Sequence, residues 1–272
     1  MTTTNDPYVP LEDAREERRF GGKAVQCGAA ARAGLPVPQG FALAGDAAAH
    51  FSSPACDAAL EHMLHALGGL VAVRSSAVGE DAADASFAGQ HATVLGVRSV
   101  DGMRAALREV YDSAGTPAAL AYREKLGLDA ACCMGVVVQR LVRADAAGVL
   151  FSRDPVTGAD VRVIEAAWGL GEVVVQGLVT PDRFRVARGG HVLERVAGDK
   201  DLMIRWSDAG GTEEVDVAGD RVTQLCLSDE QLRSLDGLTS VCEEVFGGTQ
   251  DLEFAFADGL LHLLQRRAIT RG

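Results

Sequence analysis

The sequence predicts a mixed α/β (α+β) fold, and three stretches indicate it most directly. Ser228 to about Phe246 places apolar residues at helical spacing, which is typical of a helix with one buried face. Val149 to Ala166 instead consists of short β-favouring runs separated by a turn. Asp251 to Thr270 contains two apolar runs around a short loop, which predicts a β-hairpin. At 272 residues, the chain can bury its core as one large domain or as two lobes.

Composition limits the partners and the compartment that we expect. The 26 Lys and Arg residues against 38 Asp and Glu residues give a net charge of -12, which opposes binding to nucleic acid or anionic lipid. The six cysteines include no CxxC pair, so reduced structural thiols and no zinc site are expected. The N-terminal stretch contains no apolar signal core, and no apolar run approaches membrane-spanning length. We therefore expect a cytoplasmic protein that binds neither nucleic acid nor a membrane.

The first candidate for binding an anion is Lys23. A polar arm over residues 1–19 precedes Gly21-Gly22-Lys23, which leads into an alanine-rich helix that should end near Gly34. Lys23 would lie at the helix N-terminus, where backbone N–H groups and the helix dipole attract an anion. The segment is not a Walker A loop, because Ala24 stands where Ser or Thr is required. The alternative, which these residues alone favour, is a solvated lysine.

Three further helices are predicted in the first half of the chain. One runs roughly from Ala55 to Leu67, with His62 and His65 near one face. Metal binding by that pair is less favoured than a solvated histidine face. Asp101 to Tyr111, and a helix opened by Thr116-Pro117, have the patterns of scaffold helices.

Arg74 is the second candidate for binding phosphate. Val71 to Val73 should end a strand just before it, and the small and acidic residues of Ser75 to Gly89 suit a mobile lid. The alternative for Arg74 is a salt bridge to Glu80 or Asp81. The residues leave both interpretations open.

Two strands supply uncharged polar candidates. Ala92 to Val97 reads as a strand in which Thr93 either offers its hydroxyl to a ligand or simply favours β-structure. Met134 to Leu141 is typical of a strand buried on both faces. A buried Gln139 would need a hydrogen-bonding partner there, and either an adenine edge or a neighbouring backbone group would serve.

The second half begins with strands and continues into two helices. The glycines of Trp168-Gly169-Leu170-Gly171-Glu172 permit close approach of backbone, and Glu172 begins a short helix, either as a ligand contact or as an ordinary first-turn acid. Ser228 and Gln231 form a capping box for the helix to Phe246. The residues expected on its buried face are Leu232, Leu235, Leu238, Val241 and Val245.

Loop length in the C-terminal hairpin decides which side chains share a face. A two-residue loop would pair Glu253 with Leu264 and place Glu253 and Gln265 on opposite faces. We predict a three-residue loop over 257–259, with Gly259 in the left-handed conformation and position 253 paired with 263. One face then carries Asp251, Glu253, Gln265 and Arg267, and the other carries Leu252, Phe254, Phe256, Leu260, His262 and Leu264.

The predicted polar face of the hairpin has the chemistry of a metal-nucleotide site. Mg²⁺ is usually held by one or two carboxylates together with substrate phosphates, which suits Asp251, Glu253 and the amide oxygen of Gln265. A neighbouring Arg267 suits the phosphate itself. The alternative is a solvated polar face, which these residues alone favour.

Several ordered motifs together resemble the ATP-binding domain of the dikinase family, which comprises phosphoenolpyruvate synthase, pyruvate phosphate dikinase and rifampin phosphotransferase. The resemblance spans about Phe20 to Thr270. It rests on GGKA at 21–24, AGLPVPQGF at 33–41, VRSSAVGEDAADASFAGQ at 73–90, FSRDPVTG at 151–158, AAWGLGEVVVQGLVTPDRF at 166–184 and QRRAIT at 265–270.

The resemblance implies an ATP-grasp fold, in which two lobes with mixed and antiparallel sheets close over ATP and Mg²⁺. We expect an N-terminal lobe over 20–138 and a C-terminal lobe over 139–272. The implied phosphate and catalytic residues are Lys23, Arg74 and Arg267. The other implied nucleotide contacts are Gly89 and Thr93 beneath the lid, Gln139 near the adenine, and Glu172. The implied metal ligands are Asp251, Glu253 and Gln265.

In that family, ATP yields AMP, and a phosphoryl or pyrophosphoryl group passes to a histidine on a swivelling domain. The sequence departs from the family in three ways. It stops at Gly272 with none of its six histidines in a Thr-Ser-His motif, so we expect the swivelling domain and the acceptor-substrate domain to be separate proteins. The segment between His50 and Val71 is shorter than usual, and Ala268 replaces a proline.

The leading hypothesis is therefore the ATP-binding component of a split, Mg²⁺-dependent dikinase-type phosphotransferase. One alternative is an ATP-grasp kinase or ligase that acts directly on a small molecule and forms ADP. The other alternative is a non-catalytic ATP-sensing module.

Overall fold

The computed structural model describes residues 6–48, 50–79, 92–116 and 134–269. Part of the predicted lid, with Glu80, Asp81 and Gly89, and the predicted helix beyond Thr116 lie outside these ranges. The chain divides into two compact units. The first comprises Met1–Arg32, Pro38–Leu141 and Ser207–Gly211, and the second comprises Ala33–Val37, Val142–Trp206 and Thr212–Gly272. The lobe boundaries expected from the sequence remain predictions.

Within the described residues, strands outnumber helices. The helices are α1 (Glu17–Arg32), α2 (Gly45–Ala48), α3 (Asp57–Ala66), α4 (Val100–Ser113), α5 (Glu172–Val175) and α6 (Asp229–Phe246). The strands are β1 (Tyr8–Pro10), β2 (Gly40–Leu43), β3 (Val71–Ser76), β4 (Thr93–Val97), β5 (Gly135–Arg140), β6 (Ala146–Phe151), β7 (Val161–Trp168), β8 (Asp182–Ala187), β9 (Val192–Val196), β10 (Leu202–Trp206), β11 (Thr212–Asp216), β12 (Thr249–Ala257) and β13 (Leu260–Ile269).

The first unit contains a five-stranded antiparallel sheet in the order β1-β2-β5-β3-β4. Because side chains alternate along a strand, most of the apolar residues of β3 and β5 lie on one face of this sheet. Its core residues are Val71, Val73, Val136 and Val138 from the sheet, with Leu60, Met63, Met103 and Leu107 from α3 and α4. The opposite face of β3 and β5 carries the alternating residues, which include Arg74 and Gln139.

Helix α1 approaches the sheet closely at Gly21. Gly21 has φ of 80° and ψ of 167°, so the helix is interrupted there and resumes at Gly22. A Cβ atom at Gly21 would come within 1.8 Å of the backbone oxygen of Ser76, and the N–H of Gly22 donates to the oxygen of Ala77 at 2.8 Å. The helix begins at Glu17, earlier than the sequence predicts. The start predicted at Gly21-Gly22-Lys23 coincides with the interruption at Gly21.

The second unit is built on a six-stranded antiparallel sheet in the order β13-β12-β6-β7-β8-β9, with β10 and β11 forming a separate two-stranded sheet. Its buried face carries large apolar side chains at one level across four strands, namely Leu252, Leu150, Ile164 and Phe184. The α/β (α+β) class with antiparallel sheets, predicted from the sequence, is confirmed. In the described parts of the chain, no helix has the length and apolar character needed to cross a bilayer.

Helix α6 packs on that buried face. Its predicted capping box is confirmed, since the Oγ of Ser228 accepts from the N–H of Gln231 and the Oε1 of Gln231 accepts from the N–H of Ser228. The fully buried guanidinium of Arg162 on β7 donates to Asp236 of this helix at 2.9 Å and to the backbone oxygen of Ser152 at 2.9 Å. Helix and sheet are thus joined by charge-assisted hydrogen bonds as well as apolar contact.

The predicted buried face of α6 is wrong at its C-terminal end. Leu232, Leu235 and Leu238 are buried as predicted, but Val241 and Val245 are 41% and 48% exposed. Cys242 is buried instead. The spacing of apolar residues predicts one buried face along the whole helix. Near the last turns, however, Cys242 is buried in place of its neighbour Val241.

The C-terminal hairpin has a shorter loop than the sequence predicts. Ala257 pairs directly with Leu260, so the loop contains only Asp258 and Gly259. Both have positive φ, 51° and 75°, as the type I′ turn of a two-residue hairpin requires. The predicted three-residue loop over 257–259 is therefore wrong.

A β-bulge restores the alignment that the shorter loop would otherwise lose. Phe254 pairs with Leu263 but Glu253 pairs with Gln265, so Leu264 is the extra residue on β13. Below the bulge, Leu260 and His262 lie opposite Ala257 and Ala255. The prediction that Leu260, His262 and Leu264 share the face of Phe254 and Phe256 is wrong, and Leu261 and Leu263 occupy that face instead.

Candidate functional site

Four polar side chains of the hairpin lie together on one face. Asp251 pairs directly with Arg267, and Glu253 pairs directly with Gln265. Directly paired residues project from the same face with Cβ atoms about 5 Å apart, and residues two apart on one strand are separated by about 7 Å. Gln265 is 3% exposed, and the other three are partly buried. The predicted common face is confirmed, although the bulge at Leu264 produces it rather than a longer loop.

The donor set on this face fits Mg²⁺ held jointly with phosphate. Asp251 and Glu253 contribute carboxylates and Gln265 contributes an amide oxygen, which are hard donors of the kind that Mg²⁺ takes. Across the described ranges, no group of three or more His, Cys, Asp or Glu residues is arranged to hold a metal. An octahedral ion at this face would therefore need oxygens from phosphate and water to complete its coordination.

A small apolar cluster continues the same face towards the turn, and the sequence reasoning missed it. Ala255 and Ala257 follow Asp251 and Glu253 at every second position of β12, so they share their face. Both are buried in a cluster with Val142 and Ala147. The alternation of acids and alanines from 251 to 257 is the signal that could have indicated it. The side chains of this cluster are at most 9% exposed and pack against one another and against Ala144 and Leu264.

His262 lies on this face near the same cluster. It pairs with Ala255 and is partly buried, and burial lowers the pKa of its imidazole. A neutral imidazole is therefore favoured in the folded protein.

Glu172 opens the short helix α5 of the same unit. Gly169 just before it has φ of 78°, and a Cβ atom there would come within 2.3 Å of the backbone oxygen of Ile204. The close backbone approach expected of the two glycines is therefore found at Gly169, whereas a Cβ atom at Gly171 would meet only the Cβ of Ala147 at 3.7 Å. Burial raises the pKa of the Glu172 carboxyl group.

In the first unit, three sequence candidates share one face of the sheet. Arg74 pairs with Thr93 on β4 and with Val137 on β5, and Gln139 lies two residues from Val137. All of these positions therefore project from the face opposite the apolar core. Gln139 is 3% exposed and its Nε2 donates to the backbone oxygen of Pro38 at 3.0 Å. The amide nitrogen thus takes the backbone partner considered from the sequence.

Lys23 is buried rather than solvated. It follows the interruption of α1 at Gly21 by two residues and is only 4% exposed. Its Nζ donates to the backbone oxygen of Ser75 at 2.7 Å, and the next residue, Ala24, donates its N–H to the Oγ of Ser76 at 3.0 Å. The solvated lysine favoured by the residues alone is therefore wrong. Its ammonium thus contacts the backbone of β3 at Ser75, the residue that follows Arg74 in that strand.

The structure thus groups the sequence candidates into two sets, one in each unit. Lys23, Arg74, Thr93 and Gln139 belong to the first unit, and Glu172, Asp251, Glu253, Gln265 and Arg267 belong to the second. Gly89 lies outside the described residues. The predicted histidine pair on α3 is exposed at both His62 and His65.

Comparison with known proteins links these sets to a family. Residues 53–272 match the family described as "Pyruvate phosphate dikinase, AMP/ATP-binding domain". The chain is 34% identical to "Uncharacterized phosphotransferase YvkC" of Bacillus subtilis over 96% of this chain and 35% of that protein. It is 39% identical to "Probable phosphoenolpyruvate synthase" of Archaeoglobus fulgidus over 74% of this chain and 27% of that protein. The chain therefore spans about a third of the length of the curated relatives that it matches.

A solved structure with a similar course of chain is D-alanine–D-alanine ligase from Bacillus anthracis complexed with ATP. It shares 11% sequence identity, covers 91% of this chain and 55% of its own, and gives a TM-score of 0.42. The family match carries the inferences that follow, and this distant likeness does not.

Proposed function

Because the chain belongs to the family of the pyruvate phosphate dikinase AMP/ATP-binding domain, we propose that it is the ATP-binding component of an Mg²⁺-dependent dikinase-type phosphotransferase. Cleavage between the α- and β-phosphates would release AMP and pass the β,γ-pyrophosphoryl group to a histidine carried by another domain or protein. A phosphoryl group would remain on that histidine once water had released the γ-phosphate as inorganic phosphate. The observation that carries this proposal is the pairing of Asp251 with Arg267 and of Glu253 with Gln265 on one hairpin face.

The hairpin would hold the metal. Asp251, Glu253 and Gln265 would supply its protein ligands, and Arg267 would contact the group being transferred. Mg²⁺ would neutralise the charge of the phosphate oxygens, which matters because phosphoryl transfer depends mainly on positioning and charge stabilisation.

The first unit would contribute most of the remaining nucleotide contacts. Lys23 and Arg74 would bind phosphate oxygens, with Thr93 offering its hydroxyl on the same face of the sheet as Arg74. Gln139 would contact the adenine edge through its amide oxygen, since its nitrogen donates to Pro38. Gly89 would contribute from the lid. Glu172 of the second unit would act as a polar contact to an uncharged part of the nucleotide.

The nucleotide product tests the proposal. The full chain should be incubated with Mg²⁺ and ATP labelled on the β-phosphate, together with a protein that carries the Thr-Ser-His signature. AMP should accumulate, and label should appear on the histidine of the partner. ADP as the sole product would replace the proposal with direct phosphorylation or ligation of a small molecule. Tight ATP binding without any product would indicate an ATP-sensing module.

Glu253→Gln tests the metal assignment directly. Replacing one charged ligand by an amide of the same shape should lower Mg²⁺-dependent AMP formation by at least about 100-fold, which is the scale of losing one aligned electrostatic contact to the reacting group. AMP release should be followed across a series of Mg²⁺ concentrations. Glu244→Gln, an exposed position on α6, is the matched control and should leave the rate unchanged. Equal activity of both variants would remove Glu253 from the metal site.

A further inference from the structure

A buried polar brace lies behind the metal face of the hairpin. It consists of Gln250 on β12 and Arg266 on β13, where the Nη1 of Arg266 donates to the Oε1 of Gln250 at 2.7 Å. Gln250 is 0% exposed and Arg266 is 5% exposed. Because Leu252 pairs with Arg266, the brace projects from the face opposite Asp251 and Gln265.

Gln250 also ties the hairpin to neighbouring elements. Its N–H donates to the Oγ of Ser152 at 2.8 Å, and its backbone oxygen accepts from the N–H of Ser152 at 2.8 Å. Its Nε2 donates to the backbone oxygen of Gly247, which follows α6. The guanidinium carbon of Arg266 lies 3.8 Å from the ring centroid of Phe246, the last residue of α6. The brace thus fixes both hairpin strands to the end of the helix and to the residue that follows β6.

The residues of the brace alternate with the candidate metal ligands. Gln250 immediately precedes Asp251, and Arg266 stands between Gln265 and Arg267. A shift of β12 against β13 at this level would move Asp251 relative to Gln265 and Arg267. Metal ligands must be held within about 0.5 Å of their working geometry, and supporting hydrogen bonds usually provide that precision.

We propose that Gln250 and Arg266 are positioning residues that set the spacing between Asp251 and the Gln265-Arg267 pair, and thereby the affinity for Mg²⁺ in the presence of nucleotide. This inference rests on the proposed function, because it assigns the metal to the opposite face of the same hairpin. The two side chains act as a unit, since the guanidinium of Arg266 donates to the amide oxygen of Gln250 and both side chains are buried.

The test uses the full chain with Gln250→Met, Arg266→Met and the double variant. ATP binding should be measured by calorimetry at rising Mg²⁺ concentration, and the melting temperature should be measured in EDTA. Each single variant should raise the Mg²⁺ concentration for half-maximal ATP binding by about 10-fold, the scale seen when supporting contacts of a metal site are lost. The double variant should show the same shift of about 10-fold rather than the product, while recovering part of the melting temperature, because it removes the buried guanidinium together with the amide acceptor that Gln250 supplies.

Two controls separate the possible outcomes. Phe184→Leu removes buried volume on β8, far from the hairpin in the sheet order, and should lower the melting temperature without changing the Mg²⁺ midpoint. An unchanged Mg²⁺ midpoint in the brace variants, or an equal shift in Phe184→Leu, would overturn the inference. Glu253→Gln shows whether a negative result concerns the brace alone or the proposed metal site. If it shifts the midpoint while the brace variants do not, only the brace fails; if it also has no effect, the proposed metal site fails.

Discussion

Lys200 and Asp182 form a completely buried ion pair in the second unit. The Nζ of Lys200 donates to the Oδ1 of Asp182 at 2.6 Å, and both side chains are 0% exposed. Asp182 also accepts the N–H of Gly198 at 2.8 Å and the N–H of Cys226 at 2.7 Å. The carboxylate therefore joins three separate segments of backbone, and burial together with its charge raises the pKa of the Cys226 thiol. Such a thiol is unreactive towards disulfide exchange.

Breaking this pair should be costly. Lys200→Met leaves the Asp182 carboxylate buried without its cation, so we expect a loss of about 3 to 5 kcal/mol in the free energy of unfolding. Urea unfolding followed by circular dichroism would measure it. Arg205→Met, which breaks a largely exposed pair with Glu213, should cost at most about 1 kcal/mol. Similar losses for the two variants would show that the buried pair is not a structural anchor.

His262 should make stability depend on pH just below neutrality. Burial lowers the pKa of its imidazole below the ordinary value for histidine, so the unfolded chain binds the proton more readily than the folded one. The imidazole is neutral in both states above pH 6.5, and stability should fall as pH drops from there through the lower folded pKa.

Replacing His262 tests that sign. His262→Gln should flatten the decrease in unfolding free energy as pH falls below the ordinary histidine pKa of about 6.5, because the differential proton uptake is removed. Urea midpoints at several pH values would report it. The unsubstituted chain, measured at the same pH values, is the reference for the slope. A steeper dependence of the unfolding free energy on pH in His262→Gln would show that the contribution of His262 has the opposite sign.

At the scale of elements, the interruption of α1 places Lys23 beside β3. Position 21 requires glycine for two reasons. Its φ is 80°, and any added Cβ would lie 1.8 Å from the backbone oxygen of Ser76. Gly21→Ala should therefore lower the free energy of unfolding by more than about 3 kcal/mol and weaken ATP binding through displacement of Lys23.

Gly34→Ala is the matched control for Gly21→Ala. Gly34 also has a positive φ, 78°, but no atom lies within 4 Å of an added Cβ. Its substitution should cost only about 1 to 2 kcal/mol for the backbone conformation and leave ATP binding unchanged. Thermal unfolding and ATP titration of both variants would separate crowding from conformational strain. Equal effects would show that the contact with Ser76 is not limiting.

How far the sequence predicts an element depends on whether its determinants are local. The capping box of Ser228 and Gln231 lies within one turn of helix, so its pattern is sufficient to place the start of α6. The exposure of Val241 and Val245 depends on how the helix meets the sheet, which helical periodicity does not contain. In the hairpin, two carboxylates at alternate positions predict a shared face, but nothing in the run of leucines identifies Leu264 as the bulged residue.

At the scale of the molecule, residue chemistry in ordered motifs predicts the family, whereas supporting contacts do not follow from it. Lys23, Arg74, Glu253 and Gln265 are polar residues in runs of small or apolar ones, so they stand out in the sequence. Arg266 and Arg162 look like surface charges but are buried, because their partners lie on other strands or on α6. Long-range hydrogen bonding of that kind becomes visible only once the sheet order is known.

Binding of Mg²⁺-ATP should stabilise the whole chain if the proposed function is right. A ligand at 100 times its dissociation constant stabilises the folded state by about 2.7 kcal/mol, so the melting temperature should rise by a few degrees. The rise should disappear when EDTA replaces Mg²⁺, and it should be strongly reduced in Glu253→Gln. Scanning calorimetry would measure it. A rise of equal size in EDTA would show that ATP binds without the metal ligands of the hairpin.

The bulge at Leu264 can be regarded as a dislocation in the hydrogen-bonded ladder, in the sense used for crystals. If the extra residue moved from position 264 to the turn, the loop would become three residues long, over 258–260, and Glu253 would still lie opposite Gln265. The pairing at the polar row is therefore the same for either location of the extra residue, while every pair between it and the turn changes. Moving the extra residue within the tip of this hairpin would thus leave unchanged the pairing of the residues that we propose bind the metal.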